Sequence, residues 1–122
     1  MSITGIGTDL VKIDRIQRLI HRYGERFTGK IFTLNEIAYC SKRAAPEVHF
    51  AGRFAAKEAI AKAAYQTGWM QVIPWRDIEV SSDDYGRPSV QLLTKIPGVC
   101  HVSISHDGEY ALAFAIWETD HA

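Results

Sequence analysis

The centre of the chain is a long, alanine-rich helix, and any fold of this sequence has to bury it. Residues 52–64 read GRFAAKEAIAKAA, a run of strong helix formers without proline or a β-branched stretch. We expect the helix to begin near Pro46 and to end near Gly68. Apolar and small side chains cover nearly its whole circumference, and helices of this kind are usually buried.

Glu58 lies in the middle of this helix, where a carboxylate requires a partner. Desolvating an unpaired charge costs several kcal/mol, so a bare carboxylate is not stable in such a place. Lys62, one turn later, is the simpler candidate, as an ion pair between residues four apart on a helix. A divalent cation that also binds a polyanionic substrate is the alternative, and the helix alone leaves both open.

Composition restricts the class of protein. The chain has 122 residues, 47% of them hydrophobic and 23% charged, which suits a single domain spanning residues 1–122 with its own core. The formal net charge is zero, so we expect no bulk attraction to nucleic acid or to a membrane surface. Two cysteines fit a reducing compartment, and the longest near-apolar run, 110–117, is too short to span a bilayer. We expect a soluble cytoplasmic protein.

The chain begins with a short strand, predicted over residues 2–8. Gly5 and Gly7 invite comparison with a dinucleotide-binding loop, but Leu10 occupies the third glycine position and the pattern fails. Asp9 then precedes a helical pattern and is a plausible N-cap residue. A capping role and a functional role for Asp9 remain equally open.

The helix after Asp9 is predicted to reach Tyr23, where Gly24 ends it. One side of this helix is basic. Its members are spaced three or four residues apart: Lys12, Arg15, Arg18 and Arg22. Asp14 is the only acidic residue among them, so the stripe is either a solvated face or a docking surface for an acidic partner.

A capping box opens the next helix. Thr33 and Glu36 have the spacing of this motif, and the helix is predicted to continue to about Lys42. Cations then gather before and on the central helix: Lys42, Arg43, Arg53 and Lys57. They either serve a phosphate-rich ligand or keep the surface soluble.

The second half of the chain changes to the period of a β-strand. Apolar residues alternate with polar ones at 78–80, at 90–92 and in the segment HVSISH. A last strand is predicted at 110–117. Asp83 to Gly86 and Asp107–Gly108 are turns. The whole predicts an α+β fold, an antiparallel sheet with helices packed on it.

The residues favour metal-assisted phosphate chemistry over covalent or zinc chemistry. No serine lies in a nucleophile-elbow pattern, and Cys40 and Cys100 lack metal-ligand spacing. Asp9 and Glu58 remain as a pair of carboxylates, with cations nearby in sequence. Mg²⁺ is typically held by one or two carboxylates, and phosphoryl transfer requires little more than a metal, cations and a positioned nucleophile.

Three motifs together resemble one family. They are Gly-Ile-Gly-Thr-Asp9, Gly-Arg-Phe-Ala-Ala-Lys-Glu58-Ala-Ile-Ala-Lys62-Ala and His-Val-Ser-Ile-Ser-His106. In this order and spacing they resemble the holo-[acyl carrier protein] synthases, the small stand-alone class of 4′-phosphopantetheinyl transferases, over essentially the whole chain. The resemblance implies the fold of that family. It also implies transfer of phosphopantetheine from coenzyme A to a serine of apo-acyl carrier protein, releasing adenosine 3′,5′-bisphosphate.

The resemblance also implies roles for individual residues. Asp9 and Glu58 would hold Mg²⁺ against the pyrophosphate of coenzyme A, and Glu58 or a water on the metal would take the serine proton. Lys62 would stabilise or protonate the departing phosphate. The residues implied to bind coenzyme A are Arg53, Gly86, Arg87, Pro88 and His106. Arg15, Arg18 and Arg22 would receive the carrier protein, and the family implies a homotrimer with sites between subunits.

Two readings from other classes stay open. The chain could be another Mg²⁺-dependent enzyme that cleaves a pyrophosphate, which retention of coenzyme A and the identity of the acceptor would distinguish. It could also be a non-catalytic binding module in which Glu58 is merely paired with Lys62. Independence from Mg²⁺ would favour that second alternative.

Overall fold

The computed structural model describes residues 1–120, so the last two positions of the predicted 1–122 domain lie outside it. Its elements, in chain order, are β1 Ser2–Lys12, α1 Ile13–Tyr23, α2 Glu25–Ile31, α3 Leu34–Ser41, α4 Pro46–Gln66, a 3-10 helix Trp75–Asp77, β2 Ile78–Ser82, β3 Pro88–Leu92, β4 Val99–Asp107 and β5 Tyr110–Thr119. The predicted α+β class is confirmed. In the part described, no helix is long and apolar enough to span a membrane.

The strands form two antiparallel sheets rather than one continuous meander. The larger sheet has three strands in the order β1-β5-β4, and β2 pairs only with β3 in a separate hairpin. The first strand of the chain therefore lies against the last one. Ala111, Ala113 and Ala115 on β5 are fully buried, and these small side chains allow a helix to pack closely on the sheet.

The central helix α4 is buried along most of its length, as its composition predicts. Pro46 occupies the first turn, where its missing N–H costs no hydrogen bond, and the helix ends at Gln66, slightly before Gly68. Its main contacts are with β1 and β5 on one side. On another side Phe54 stacks on Trp75 with ring centres 5.4 Å apart.

Glycine is required where β1 crosses α4. A Cβ atom on Gly5 would overlap the carbonyl oxygen of Ala63, and one on Gly7 would overlap that of Ala59. The two glycines therefore serve a close approach of backbones and not a nucleotide loop. Since side chains alternate along a strand, Asp9 points to the same side as Gly5 and Gly7, toward α4.

The prediction that Asp9 is an N-cap residue is wrong. Pairing between β1 and β5 continues beyond residue 8, with Asp9 opposite Ala113 and Lys12 opposite Tyr110. The first helix begins only at Ile13, after Lys12, and has no side-chain cap. Gly24 ends this helix at a φ of 53°, as predicted, and α2 follows it directly.

The two faces of the three-stranded sheet differ in character. The face toward α4 consists of buried or half-buried residues except for the exposed His106. On the opposite face β1 and β5 expose apolar side chains, while β4 exposes the polar residues His101, Ser103 and Ser105. The exposed apolar set includes Ile6, Leu10, Leu112 and Phe114. No helix in the part described covers this outer face, so the apolar side chains of β1 and β5 are left exposed on it.

Candidate active site

Asp9 and Lys62 meet where β1 crosses α4. The ammonium of Lys62 lies 3.3 Å from Oδ1 of Asp9 and donates to the carbonyl oxygen of Thr8 at 3.0 Å. The Asp9 side chain is only 17% exposed, while that of Lys62 is 54% exposed. Within residues 1–120 Lys62 is thus paired with Asp9 and not with Glu58, so the simple helical ion pair considered for Glu58 is wrong.

Glu58 shares this site and experiences its charges. Burial raises the pKa of the Glu58 carboxyl, and the neighbouring Asp9 raises it further. Lys62 and Arg15 act in the opposite direction, but they do not cancel the first two effects. The fold therefore brings together the two carboxylates that lie far apart in sequence, and their charges repel each other.

The pair fits a hard divalent cation. Two carboxylates that destabilise each other are relieved by a positive charge between them, and oxygen is the ligand Mg²⁺ prefers. Across residues 1–120 the chain has no group of three or more histidine, cysteine or acidic side chains that could hold a metal. That donor set suits Mg²⁺ with water and substrate ligands, and it does not suit a zinc site.

A second group of charged residues surrounds Tyr39 on α3. The guanidinium groups of Arg43 and Arg53 each lie 4.1 Å from the centre of its ring, and His49 meets it edge-on at 5.9 Å. Burial lowers the pKa of His49, and Arg53, Arg43 and His106 lower it further. The two guanidinium groups thus lie together beside His49, whose lowered pKa favours its neutral form, and a pair of guanidinium groups attracts phosphate.

Arg53 is buried within this cluster. It is 5% exposed, and its Nη2 donates to the hydroxyl of Ser82 at 3.2 Å, while its Nε has no partner within residues 1–120. It borders a cleft of about 160 Å³, lined in part by Tyr39 and Ser82. A buried guanidinium with a free donor beside a cleft is suited to an anionic ligand.

The register of the three-stranded sheet shows where Asp9 of the carboxylate site lies relative to His106, which acts on His49 of the cluster around Tyr39. Asp9, Ala113 and Ile104 form one row across β1, β5 and β4, and the next row ends at His106. Both rows face α4. Two strand spacings, about 10 Å, separate β1 from β4, and His106 lies on the same face as Asp9 but two residues further along the strand direction.

The turn between β2 and β3 belongs to neither group. Arg87 forms an ion pair with Asp83 at 2.7 Å and lies over the ring of Tyr85, both within the same turn. Gly86 supplies the positive φ of 78° that the turn requires, and Pro88 begins β3. The structure therefore presents these predicted ligands on an exposed hairpin tip.

On helix α1 the basic residues are exposed to solvent, but Arg15 also lies near the carboxylate site. Arg18 is exposed and pairs with Asp14 at 3.7 Å, and Arg22 lies over the ring of Tyr23. Arg15 lies close enough to Glu58 to lower its pKa, so it belongs partly to the carboxylate site. A cavity of about 360 Å³ opens beside this helix, lined by Leu19, Tyr23, Arg26, Phe27, Lys30 and Ile31.

Lys57 is not one of the free cations that sequence reasoning grouped with Arg53. Its side chain is completely buried and forms an ion pair with Glu36 of α3 at 2.7 Å. Sequence reasoning also gave no role to Tyr39 and His49. For Tyr39, its position four residues before Arg43 was the only sequence feature that pointed to their contact.

Comparison with known proteins decides the family. The family model described as the 4′-phosphopantetheinyl transferase superfamily matches residues 5–115. The chain belongs to this superfamily. The result confirms the resemblance drawn from the three motifs, and it confirms that the chain is an enzyme of the holo-[acyl carrier protein] synthase group.

Relatives of this superfamily match along nearly the full length of the chain. A holo-[acyl-carrier-protein] synthase of Protochlamydia amoebophila is 48% identical, covering 94% of this chain and 98% of the relative. One of Chlamydia muridarum is 44% identical, covering 93% and 94%. The crystal structure of the synthase from Neisseria meningitidis superposes with a TM-score of 0.83 at 30% identity, covering 97% and 100%. That of Helicobacter pylori, in complex with coenzyme A, has a TM-score of 0.81 at 30% identity, covering 93% and 99%.

Proposed function

We propose that this transferase moves 4′-phosphopantetheine from coenzyme A to a serine of apo-acyl carrier protein and releases adenosine 3′,5′-bisphosphate. The proposal depends above all on one observation: the crossing of β1 and α4 places Asp9 against Lys62, one helical turn after Glu58, so that both carboxylates belong to one site. Such a pair is the donor set that Mg²⁺ takes alongside phosphate oxygens. The names of the relatives and the coenzyme A complex from Helicobacter pylori supply the substrate class.

Asp9 and Glu58 would hold the Mg²⁺ ion. When bound, the ion neutralises charge on the pyrophosphate and so favours cleavage of its bridging bond. Glu58, or a water on the ion beside it, would accept the proton of the attacking serine. The nucleophile belongs to the carrier protein, which agrees with a chain that has no nucleophile-elbow motif.

Lys62 would act on the leaving group. Its ammonium is half exposed and lies 3.3 Å from Asp9, beside the proposed metal site. Negative charge grows on the bridging oxygen as the phosphate departs, and a positioned ammonium stabilises that charge or donates a proton to it. Lys62 therefore contributes mainly in the transition state.

The phosphates of coenzyme A would bind to the cluster around Tyr39. Arg53 supplies a buried guanidinium with a free Nε, and Arg43 adds a second guanidinium over the same ring. The hairpin tip with Gly86, Arg87 and Pro88 would contact the nucleotide. A synthase of Bacillus anthracis solved with coenzyme A (3′,5′-ADP), at 34% identity, supports this class of ligand.

The carrier protein would dock on α1, and the active unit would be a trimer. Arg18 and Arg22 are available to an acidic partner, with Arg15 directed toward Glu58. The apolar outer face of the three-stranded sheet supports assembly, because a surface of this kind marks an interaction site. Two free cysteines, Cys40 and Cys100, suit a reducing cytoplasm.

Intact mass of the carrier protein tests the function. Apo-acyl carrier protein is incubated with this protein, coenzyme A and Mg²⁺, and its mass should rise by a single phosphopantetheine. Adenosine 3′,5′-bisphosphate should appear in equal amount in the same sample. No adduct with wild-type protein, or a nucleotide product without any adduct, would rule the proposal out.

A further inference from the structure

The buried ion pair between Lys57 and Glu36 has no part in the chemistry proposed above. Lys57 directly precedes Glu58 on α4, yet its side chain points away from Asp9 and toward α3. The two charged side chains are 0% and 1% exposed and lie 2.7 Å apart. Charged residues are almost never buried to this extent unless their groups are fully satisfied.

Every polar group of the pair has a partner. The ammonium of Lys57 donates to the carbonyl oxygens of Trp75 at 3.0 Å and Ile78 at 2.6 Å, as well as to Glu36. The carboxylate of Glu36 also accepts the N–H of Val80 at 2.7 Å and that of Thr33 at 2.8 Å. The pair thereby joins α3, α4 and the first residues of β2.

This arrangement fixes the root of the β2–β3 hairpin to the helix that carries Glu58. A second tie lies one helical turn away, where Arg53 donates to Ser82 at the far end of β2. Ile78 and Ser82 are four residues apart on the strand, just as Lys57 and Arg53 are on the helix. The strand is therefore anchored to α4 at both ends, while its turn with Arg87 projects into solvent.

Stability alone is a weak reason for such a pair. The free energy needed to desolvate two charges is about as large as that gained from their attraction. Apolar replacements of similar size therefore often leave the stability of the fold unchanged or raise it. A geometric role explains the arrangement better, since a satisfied buried pair has one well-defined position. What it holds in place is the hairpin relative to the metal-binding carboxylates.

We infer that Lys57 and Glu36 are positioning residues that set the distance between the nucleotide-binding hairpin and the carboxylates Asp9 and Glu58. Coenzyme A has to reach both places at once, its nucleotide at the hairpin and its pyrophosphate at the carboxylates. A hairpin that moves relative to α4 would bind the nucleotide with the reacting phosphate out of place. The inference concerns coenzyme A as substrate and so rests on the proposed function.

The test uses a double variant, Lys57→Met with Glu36→Gln. Lys57→Met alone leaves a buried, unpaired carboxylate and should destabilise the fold severely. The double variant removes both charges and keeps one acceptor oxygen for the N–H of Val80. Glu36→Gln alone is the milder second variant, because Lys57 then keeps its bonds to the carbonyl oxygens of Trp75 and Ile78. We expect the kcat/KM of the double variant for coenzyme A to fall by about 10- to 100-fold, because misplacement by about 1 Å can cost about 100-fold. The Mg²⁺ concentration for half-maximal activity should stay unchanged.

Ile16→Val on α1 provides a matched control. Ile16 is fully buried but lies on an element distant in sequence from the hairpin, so the variant should lose stability without a change in the KM for coenzyme A. Amide hydrogen exchange adds a readout that needs no substrate. Exchange along β2 and β3 should accelerate in the double variant and not in the control.

The outcomes separate this inference from the proposed function. Faster hairpin exchange together with a loss in kcat/KM for coenzyme A supports positioning. Wild-type exchange, or wild-type kinetics despite faster exchange, overturns it and leaves the pair a merely structural element. Failure of the proposed function would show differently, as an absence of carrier-protein modification by the wild-type chain itself.

Discussion

The ionised carboxylate of Glu58 is destabilised in the folded protein. Burial and the neighbouring Asp9 both raise its pKa above the ordinary value of 4.5. A raised pKa means that the folded state favours the protonated form. Protonated Glu58 therefore stabilises the folded state. This stabilisation is fully present below the ordinary pKa of 4.5 and is lost as the pH rises through the raised pKa of the folded state. At neutral pH the charge therefore works against folding.

Glu58→Gln should consequently be more stable than wild type near pH 7 in the absence of metal. We expect its melting temperature to exceed that of wild type by a few degrees at pH 7 and to equal it below about pH 4, where both side chains are neutral. Thermal unfolding across this pH range measures the effect. A variant less stable than wild type at pH 7 would show that Glu58 is satisfied within the protein.

Lys62 is the second residue whose observed contact suggests a specific outcome. In Lys62→Ala the ammonium no longer rests against Asp9, so kcat should fall far more than the KM for coenzyme A rises. Mg²⁺ should bind the variant more tightly, because a competing positive charge has gone. Steady-state kinetics and calorimetric titration with Mg²⁺ check the two effects. An increase in KM at constant kcat would assign Lys62 to ground-state binding instead.

At the scale of elements, local patterns carried most of the information. The capping box at Thr33 and Glu36, proline at the start of α4 and the period-2 strands are all present where the sequence places them. These features depend on neighbouring residues, so a sequence displays them directly. The burial predicted for the central helix is also present, with Glu58 half-buried on it.

The failures came from contacts between distant parts of the chain. Asp9 belongs to a strand because β5 pairs with it, and β5 lies a hundred residues later in sequence. Lys57 can be buried because it pairs with Glu36 of α3, and no local sequence pattern indicates that contact. Asp9 and Glu58 could be named as candidate carboxylates from the residues alone, but spacing does not show which side chains meet, so only the family resemblance joined them in one site.

The basic helix α1 supports a prediction about docking. Arg22→Glu should raise the KM for carrier protein strongly and leave coenzyme A binding unchanged, because contacts of this kind act mainly on association. The salt dependence of kcat/KM should also flatten, as the Debye length falls from about 10 Å at 0.1 M to about 3 Å at 1 M. Arg22 is preferable to Arg15 here, since Arg15 also lies near Glu58.

Lys95→Glu is a matched charge reversal for this salt series. Lys95 is exposed in the turn between β3 and β4 and not on α1. It should keep the wild-type salt slope and the wild-type KM for carrier protein. Equal slopes for Arg22→Glu and wild type would mean that the stripe is only a solvated face.

At the scale of the whole molecule, the outer face of the three-stranded sheet is left without a cover. Leu10 is 60% exposed there and Phe114 is 40% exposed, although both lie within paired strands. Large apolar patches are rare on monomers and usually mark an interface. The trimer predicted from family resemblance would cover this face.

Light scattering at micromolar concentration should therefore report three chains. Phe114→Asp should shift the assembly toward smaller species, because it places a charge in the interface. Its side chain points away from α4, so the fold of each chain should survive, as circular dichroism can verify. A fully active monomeric wild type would contradict the idea that sites are completed between subunits.

The central claim is that Asp9 and Glu58 form one Mg²⁺ site that supports transfer to the carrier protein. The most direct measurement is carrier-protein modification, followed by intact mass, during Mg²⁺ titration of wild type, Asp9→Asn and Glu58→Gln. We predict Mg²⁺-dependent modification by wild type and almost none by either variant at ordinary Mg²⁺, with the fold of both intact. Near-normal activity of Glu58→Gln, or wild-type turnover in excess chelator, would contradict the account.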